Sequence, residues 1–310
     1  MNNLYSRLKE FAETILAPDD MGIFHSHIDR LEKSPLKLVR FIPEKTLAVS
    51  LTGEKCGRRC RHCMGHYLSG MKPLASLTAE KLSKYSSVLI SGGSDDTGKV
   101  PIGEYIDRIN KIPTDLRLNI HVGLQGAHDL LSLRNRETTI SFDLIGCDET
   151  IKEVYGLDRH ASDYKEAYLE LTKYFSVIPH LTVGLRGGKP SGEIEILNFL
   201  KNNPSSTLTF LVFRPTPNTP YQGCSPPAME YVVNLIARAV SELSSVVSLG
   251  CMRPSGSYRK RLDLLAWIAG ARSIVLPDKS LTDFLSGVGV PVETSYECCS
   301  LRTTETANGR

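Results

Sequence analysis

Cys56-Gly-Arg-Arg-Cys60-Arg-His-Cys63 follows directly on the strand-like run Lys45 to Leu51 and sets three cysteines at C-x3-C-x2-C spacing. Three thiols this close together form a metal-binding pattern. A cluster of four irons needs four terminal ligands, so a loop that supplies three leaves one iron open to a small molecule. A zinc finger or ribbon would need a second C-x-x-C or H-x3-5-H pair, and none follows within a finger's length. His62 and His66 are the local residues that would complete a zinc site instead.

Outward from this loop, apolar runs suited to buried parallel strands recur at 46–51, 87–91, 117–122, 139–145, 180–185, 207–213, 246–250 and 273–276. Helix-period segments separate them, at 79–85, 102–112, 127–133, 162–175, 193–202, 227–243, 258–271 and 278–285. Alternation of this kind gives a parallel sheet, and eight units in 310 residues give an α/β fold of the (β/α)8 TIM-barrel type. Such barrels work at the C-terminal ends of their strands, and chemically loaded residues do crowd there. The cysteines follow the first strand, Gly92-Gly93-Ser94-Asp95 the second, His121 ends the third and Asp143 to Cys147 the fourth. Arg186, Arg214 and Cys251-Met-Arg253 follow later ones. The expected organisation is an N-terminal helical extension over 1–44, which lacks a strand pattern, a barrel over 45–290, and a C-terminal tail over 291–310. Pro215 to Pro227 reads as a stiff loop on the active face.

Composition limits the function. Hydrophobic residues at 41% and charged ones at 23% suit a globular enzyme, and a net charge of +3 is too small and too dispersed for a nucleic-acid footprint. Two local basic patches stand out, Arg58-Arg59-Cys60-Arg61 and Arg253 through Arg261; the first suggests charge compensation around thiolates. No run approaches a membrane span, Met1 to Ala17 reads as an amphipathic helix rather than a secretion signal, and no phosphate-binding loop is present. Eight cysteines in such a chain read as ligands or buried thiols rather than disulfides, which points to a reducing cytoplasm.

The cysteine loop after the first strand resembles that of radical S-adenosylmethionine (SAM) enzymes. The resemblance implies a 4Fe-4S cluster on Cys56, Cys60 and Cys63, with SAM on the open iron. His62 holds the place of the aromatic residue near the adenine. Ser91-Gly92-Gly93-Ser94-Asp95 is similar to the family's Gly-Gly-Glu turn, with Ser94 in place of the acid, and 183–187, with Arg186, is similar to its adenine-contacting segment. Asp95, His121 and Asp143 are further candidate contacts to SAM or substrate. Arg253 has three open roles: the SAM carboxylate, a second cluster, or an acidic carrier.

Of the remaining cysteines, Cys251 ends a strand on the active face and Cys298-Cys299 lie near the terminus. A tail closing over the barrel mouth would bring them together as ligands of a second iron–sulfur cluster. Adjacent cysteines share one cluster only where the chain turns. Cys147 and Cys224 read as buried thiols. The runs 249–254, 258–263 and 297–300, with 98–101 and 153–159, are similar to the biotin-synthase-homologue group, which includes one component of the two-protein archaeal-type lipoyl synthase. That resemblance implies a sulfurtransferase in lipoyl cofactor biosynthesis, using a 5′-deoxyadenosyl radical and a second cluster as sulfur donor. Its implied partners are an octanoylated lipoyl-domain or H protein, a companion radical SAM protein, and an electron donor such as ferredoxin or flavodoxin. The alternatives are a biotin-synthase-like or other radical SAM reaction, and a non-enzymatic metal-binding structural protein.

Overall fold

The computed structural model describes residues 2–33 and 35–301. All eight expected strands form, and they carry the sheet: β2 (Thr46–Ser50), β4 (Ser87–Ser91), β5 (Arg117–His121), β6 (Thr138–Asp143), β7 (Ser176–Val183), β8 (Thr207–Val212), β9 (Val246–Leu249) and β10 (Ser273–Val275). Three strands join them, β1 (Leu38–Phe41), the two-residue β3 (Lys72–Pro73) and β11 (Val292–Ser295). The order is β11-β1-β10-β9-β8-β7-β6-β5-β4-β2-β3, with every pairing parallel.

The helices are α1 (Asn2–Ile15), α2 (Pro18–His27), α3 (Ala79–Leu82), α4 (Ile106–Ile109), α5 (Asp148–Thr150), α6 (Ala161–Thr172), α7 (Glu193–Asn202), α8 (Met229–Glu242), α9 (Ser257–Ala269) and α10 (Lys279–Gly287). Between β5 and β6 only a 3-10 segment, His128–Leu133, appears. No helix is long and apolar enough to cross a membrane among the described residues.

Two expectations about the ends of the chain are corrected. Residues 1–44 are not purely helical, because Leu38–Phe41 forms β1 between β10 and β11. The run is too short and too close to the next strand to show a period of its own; pairing on both edges creates it. The barrel is also an open half-barrel sheet, not a closed eight-stranded one. The edge strands β3 and β11 have no ladder to each other, and β1 passes into β2 through the short turn 42–45.

The expected tail over the barrel mouth lies at the opposite end. Lys45 N–H donates to Tyr296 O, Cys298 N–H to Thr46 Oγ1, and Ser86 Oγ to Glu297 Oε1 at 2.9 Å. Arg117 forms an ion pair with Glu297 and donates to Leu301 O at 2.9 Å. Lys45, Thr46, Ser86 and Arg117 precede or start strands, so the tail plugs the N-terminal end. The physical reason is that β11 leaves the sheet at the level where β2 begins. The rest of the tail, 302–310, lies outside the described residues.

Packing separates two faces of the strands. Outward residues such as Leu118, Ile120, Ile140 and Phe210 are almost fully buried beneath the helices, together with Trp267 of α9. Each large apolar side chain there contributes about 1.5–3 kcal/mol of transfer free energy. Trp267 Nε1 is satisfied by Lys37 O at 3.1 Å, which ties the N-terminal segment to α9. Inward positions of the same strands are polar: Asn119, Ser141, Asp143, His180, Thr182, Thr209 and Ser248. A parallel strand packed on both faces should be apolar throughout. The period-2 polarity therefore marks a lumen built for polar contacts.

Candidate active site

The cysteine loop sits at the C-terminal edge of β2, and short backbone contacts hold it first. Gly57 N–H donates to Ser94 O at 2.9 Å, and Gly93 N–H donates to Thr52 Oγ1 at 2.8 Å. Gly93 has no room for a side chain, since a Cβ there would meet Lys55 O at 2.1 Å and Cys56 Cα at 2.5 Å. The Gly92-Gly93 pair therefore seats the loop as well as lining the cleft.

The second support is the segment 151–156, a π-turn ended by Gly156 at φ 63°. Arg61 N–H donates to Val154 O at 2.9 Å, and Arg58 donates to Gly156 O at 2.6 Å and Asp96 O at 3.2 Å. Arg58, expected as charge compensation, is thus a staple between two sequence motifs. His62 stands edge-on to Tyr155 with ring centroids 5.6 Å apart.

All three loop cysteines line one cleft of about 200 Å³ with His62, Gly92, Gly93, Ser94, His121, Asp143, Tyr155 and Tyr164. Hydrogen bonding from Cys60, with His62 assisting against burial, holds the Cys63 thiol down to about 4, and Cys60 is pushed up in return. The loop thus presents a thiolate at neutral pH before any metal arrives, and thiolates are what soft metal centres bind.

His121 and Asp143 sit in the wall of this cleft, and His180 pairs with Asp143 on the neighbouring strand. Burial alone would raise Asp143, but the charge of His121 beside it holds it at about 2. Burial and the neighbouring His121 push His180 down to about 4. Asp143 raises His121 against burial.

One level deeper, Ser141 Oγ donates to Asn119 Oδ1 at 2.8 Å and meets Ser300 Oγ at 3.0 Å, while Asn119 Nδ2 donates to Cys298 Sγ at 3.3 Å. The chain turns at the cysteine pair, as the 3-10 segment Cys299–Leu301. Cys299 packs against Val39, Phe41 and Val275. Cys251 is exposed in area, and its thiol is pushed up first by burial and then by Cys298. Hydrogen bonds from Cys299, Ser300 N–H and Asn119 hold Cys298 down to about 6. The structure therefore places Cys298 and Cys299 together at the N-terminal end of the lumen, and Cys251 lies near enough for the Cys298 charge to raise it.

Three expected contacts are placed elsewhere. Asp95 Oδ1 accepts from Thr97 N–H, Thr97 Oγ1 and Lys99 N–H at 2.7–3.1 Å, and the residue does not line the cleft. Its carboxylate closes its own turn. Arg186 is engaged by Glu153 at 2.9–3.0 Å, with Tyr221 Oη donating to the other oxygen, and it also stays outside the cleft. Arg253 is fully buried, paired with Asp263 through two bonds at 2.8 and 3.0 Å and donating to Gly250 O and Leu276 O. No nitrogen of Arg253 remains for SAM, a cluster or a carrier.

Cys147 bonds Thr150 Oγ1 at 2.8 Å and Cys224 packs on Gly187, both as structural thiols. Glu193 was missed in the sequence. Its buried carboxylate accepts from Gly184 N–H, Ser191 N–H and Oγ, and Tyr231 Oη, and fixes the loop after β7. A glutamate in the first turn of a helix gives no sign in sequence that it will be covered.

No family model matches this sequence, and no curated protein matches it either. Solved structures do share the fold. The FeFe-hydrogenase maturase HydG superposes with a TM-score of 0.63 at 14% identity, over 97% of this chain and 77% of that one. Methylornithine synthase PylB gives 0.59 at 13% identity, over 95% and 93%. The Escherichia coli coproporphyrinogen III oxidase HemN, a radical SAM enzyme, is more distant at 0.42 and 13% identity, over 71% and 55%. The class that the first two likenesses define is an α/β half-barrel fold with a parallel sheet.

Proposed function

We propose that this chain is a radical SAM enzyme, with Cys56, Cys60 and Cys63 holding a 4Fe-4S cluster. The observation that carries the reading is the convergence of exactly spaced thiols on one cleft at the C-terminal ends of parallel strands, beside Gly92-Gly93. The donor set fits the group, since three sulfurs reach one space and Cys63 is already a thiolate. When bound, such a cluster with SAM supplies a 5′-deoxyadenosyl radical that removes hydrogen from an unactivated carbon. The chain's own residues exclude water and orient: His62 and Tyr155 wall the cleft, Arg58 and Gly93 fix the loop, and the tail seals the far end.

The narrower reading is sulfur insertion into a protein-bound octanoyl chain, with Cys251, Cys298 and Cys299 binding a second, sulfur-donating cluster. The entry of Cys298 and Cys299 into the lumen, with Cys298 acting on Cys251, supports it. The partners are then an octanoylated lipoyl-domain or H protein, a companion radical SAM protein and an electron donor such as ferredoxin or flavodoxin. A biotin-type sulfur insertion is the second reading, favoured by the same lumen thiols with a free substrate.

Anaerobic reconstitution of the Cys56→Ala/Cys60→Ala/Cys63→Ala chain tests the ligand sets. About four irons retained supports the second cluster, whereas none retained removes the sulfur-donor reading and leaves the first cluster standing. Turnover of an octanoylated carrier against dethiobiotin separates the two substrates.

A further inference from the structure

We propose that His121, Asp143 and His180 form a mononuclear site for a divalent transition-metal ion in the lumen, separate from the cysteine loop. One ligating atom from each residue lies within 4.8 Å of the other two. Three neighbouring strands deliver them. His121 is the last residue of β5, Asp143 the last of β6, and His180 pairs directly with Asp143 on β7. All three occupy inward positions, so the pleat aims them at one point.

The polar atoms do not satisfy one another. His180 is only 9% exposed, and its Nδ1 has no partner. Asp143 Oδ1 has none either, and His121 Nε2 lies 3.3 Å from Asp143 Oδ2 without the alignment of a hydrogen bond. The two imidazoles stand edge to face at 5.6 Å, neither donating to the other. An ordinary hydrogen-bonded His-Asp-His cluster would have placed protons between these atoms. Here His180 Nδ1 and Asp143 Oδ1 are left without partners beside the His121–Asp143 ion pair, which is an arrangement a cation completes.

The chemistry of the donors sets the class of ion. Two imidazoles and one carboxylate on one side of a point form the facial set that binds Fe2+ and Zn2+ and leaves coordination positions open. Two neutral imidazoles and one carboxylate carry a single negative charge, so a divalent ion leaves the site singly positive. The open positions face the cleft that the loop cysteines line, because His121 and Asp143 belong to its wall. An ion there would polarise a carbonyl or carboxylate oxygen of a bound substrate and hold it against the reacting end of the cleft. His121 and Asp143 are thereby assigned to a metal rather than to SAM.

Cobalt(II) is the probe, titrated anaerobically into the full chain stripped of metal. The Cys56→Ser/Cys60→Ser/Cys63→Ser/Cys251→Ser/Cys298→Ser/Cys299→Ser background keeps both the loop and the lumen thiols from competing. The expected result is one equivalent with visible ligand-field bands and no thiolate-to-cobalt charge transfer, weakened at least about 10-fold by His180→Ala and by Asp143→Asn. The same ion should raise the melting temperature of the parent and not of the variants. If either variant fails to fold, the other carries the comparison, and His121→Asn is a third. Retention of the equivalent in a folded ligand variant, a spectrum dominated by thiolate charge transfer, or absence of binding in the parent overturns the site. The readout does not involve radical chemistry, so its failure and the failure of the proposed function are distinguishable.

Discussion

Replacing Asp263 by alanine should unfold this protein several degrees early and loosen Cys251 without touching the cysteine loop. Arg253 and Asp263 are both fully buried and joined by two bonds at 2.8 and 3.0 Å. Asp263 also accepts from Asp278 N–H at 2.8 Å, at the start of α10. Arg253 in turn donates to Gly250 O at 2.6 Å and Leu276 O at 3.2 Å, clamping the ends of β9 and β10. Removing one partner strands a charge in the interior at a cost of about 3–5 kcal/mol. At about 2.1 cal/mol/K per residue, a chain of this length has an unfolding entropy near 0.65 kcal/mol/K, so the melting temperature should fall by about 5–8 °C.

Thermal unfolding followed by circular dichroism reads the shift. Arg253→Met/Asp263→Leu, which removes both charges, should recover at least about half of it, because an apolar pair of similar volume needs no partner. A single-variant shift below about 1 °C would refute the buried pair. Loss of activity in a variant of unchanged melting temperature would return Arg253 to the cofactor.

Further outcomes test other parts of the architecture. Gly93→Ala should lower the iron bound by the loop, since the added methyl meets Lys55 O and Cys56 Cα, and destabilise the fold by about 1–3 kcal/mol; iron analysis and a denaturant melt measure both. Arg117→Ala removes the partner of Glu297 and of Leu301 O, so hydrogen exchange over 296–301 should quicken while the cysteine loop keeps its iron. Glu193→Ala strands the N–H groups of Gly184 and Ser191, with an expected loss of about 2–4 kcal/mol in chemical denaturation. His160 is raised first by its hydrogen bond to Asp148, so the stabilisation from this pair is present below the ordinary histidine range and fades as pH rises through the raised value. Asp148→Asn should bring the His160 titration back down, as read by NMR.

The strands around the lumen show how far the sequence reaches. All eight expected ones form because each is a local run of apolar and β-branched residues bounded by turns, and such runs commit to extended structure whatever packs on them. The cysteine loop was equally legible, since its spacing lies within a single loop and its chemistry depends on residue type. β1 and β11 were not: Leu38–Phe41 lies only four residues before β2 and Val292–Ser295 holds a single apolar residue, so neither shows a strand pattern apart from its neighbours. The sites of Arg253, Arg186 and Asp95 were misread for a related reason. A charged residue after a strand looks the same in sequence whether it faces a ligand, its own turn, or a buried counter-ion.

By itself, then, the sequence determined a parallel α/β fold with a thiol-rich loop at its active edge, because these depend on local periodicity and spacing. Only the tertiary structure decided that the tail enters from below and carries Cys298 and Cys299 into the lumen. It also decided that His121, Asp143 and His180 face one another. Those three sit on separate strands whose register and inward parity no local stretch encodes, and it is the parallel pairing of Asp143 with His180 that turns three scattered polar residues into one site.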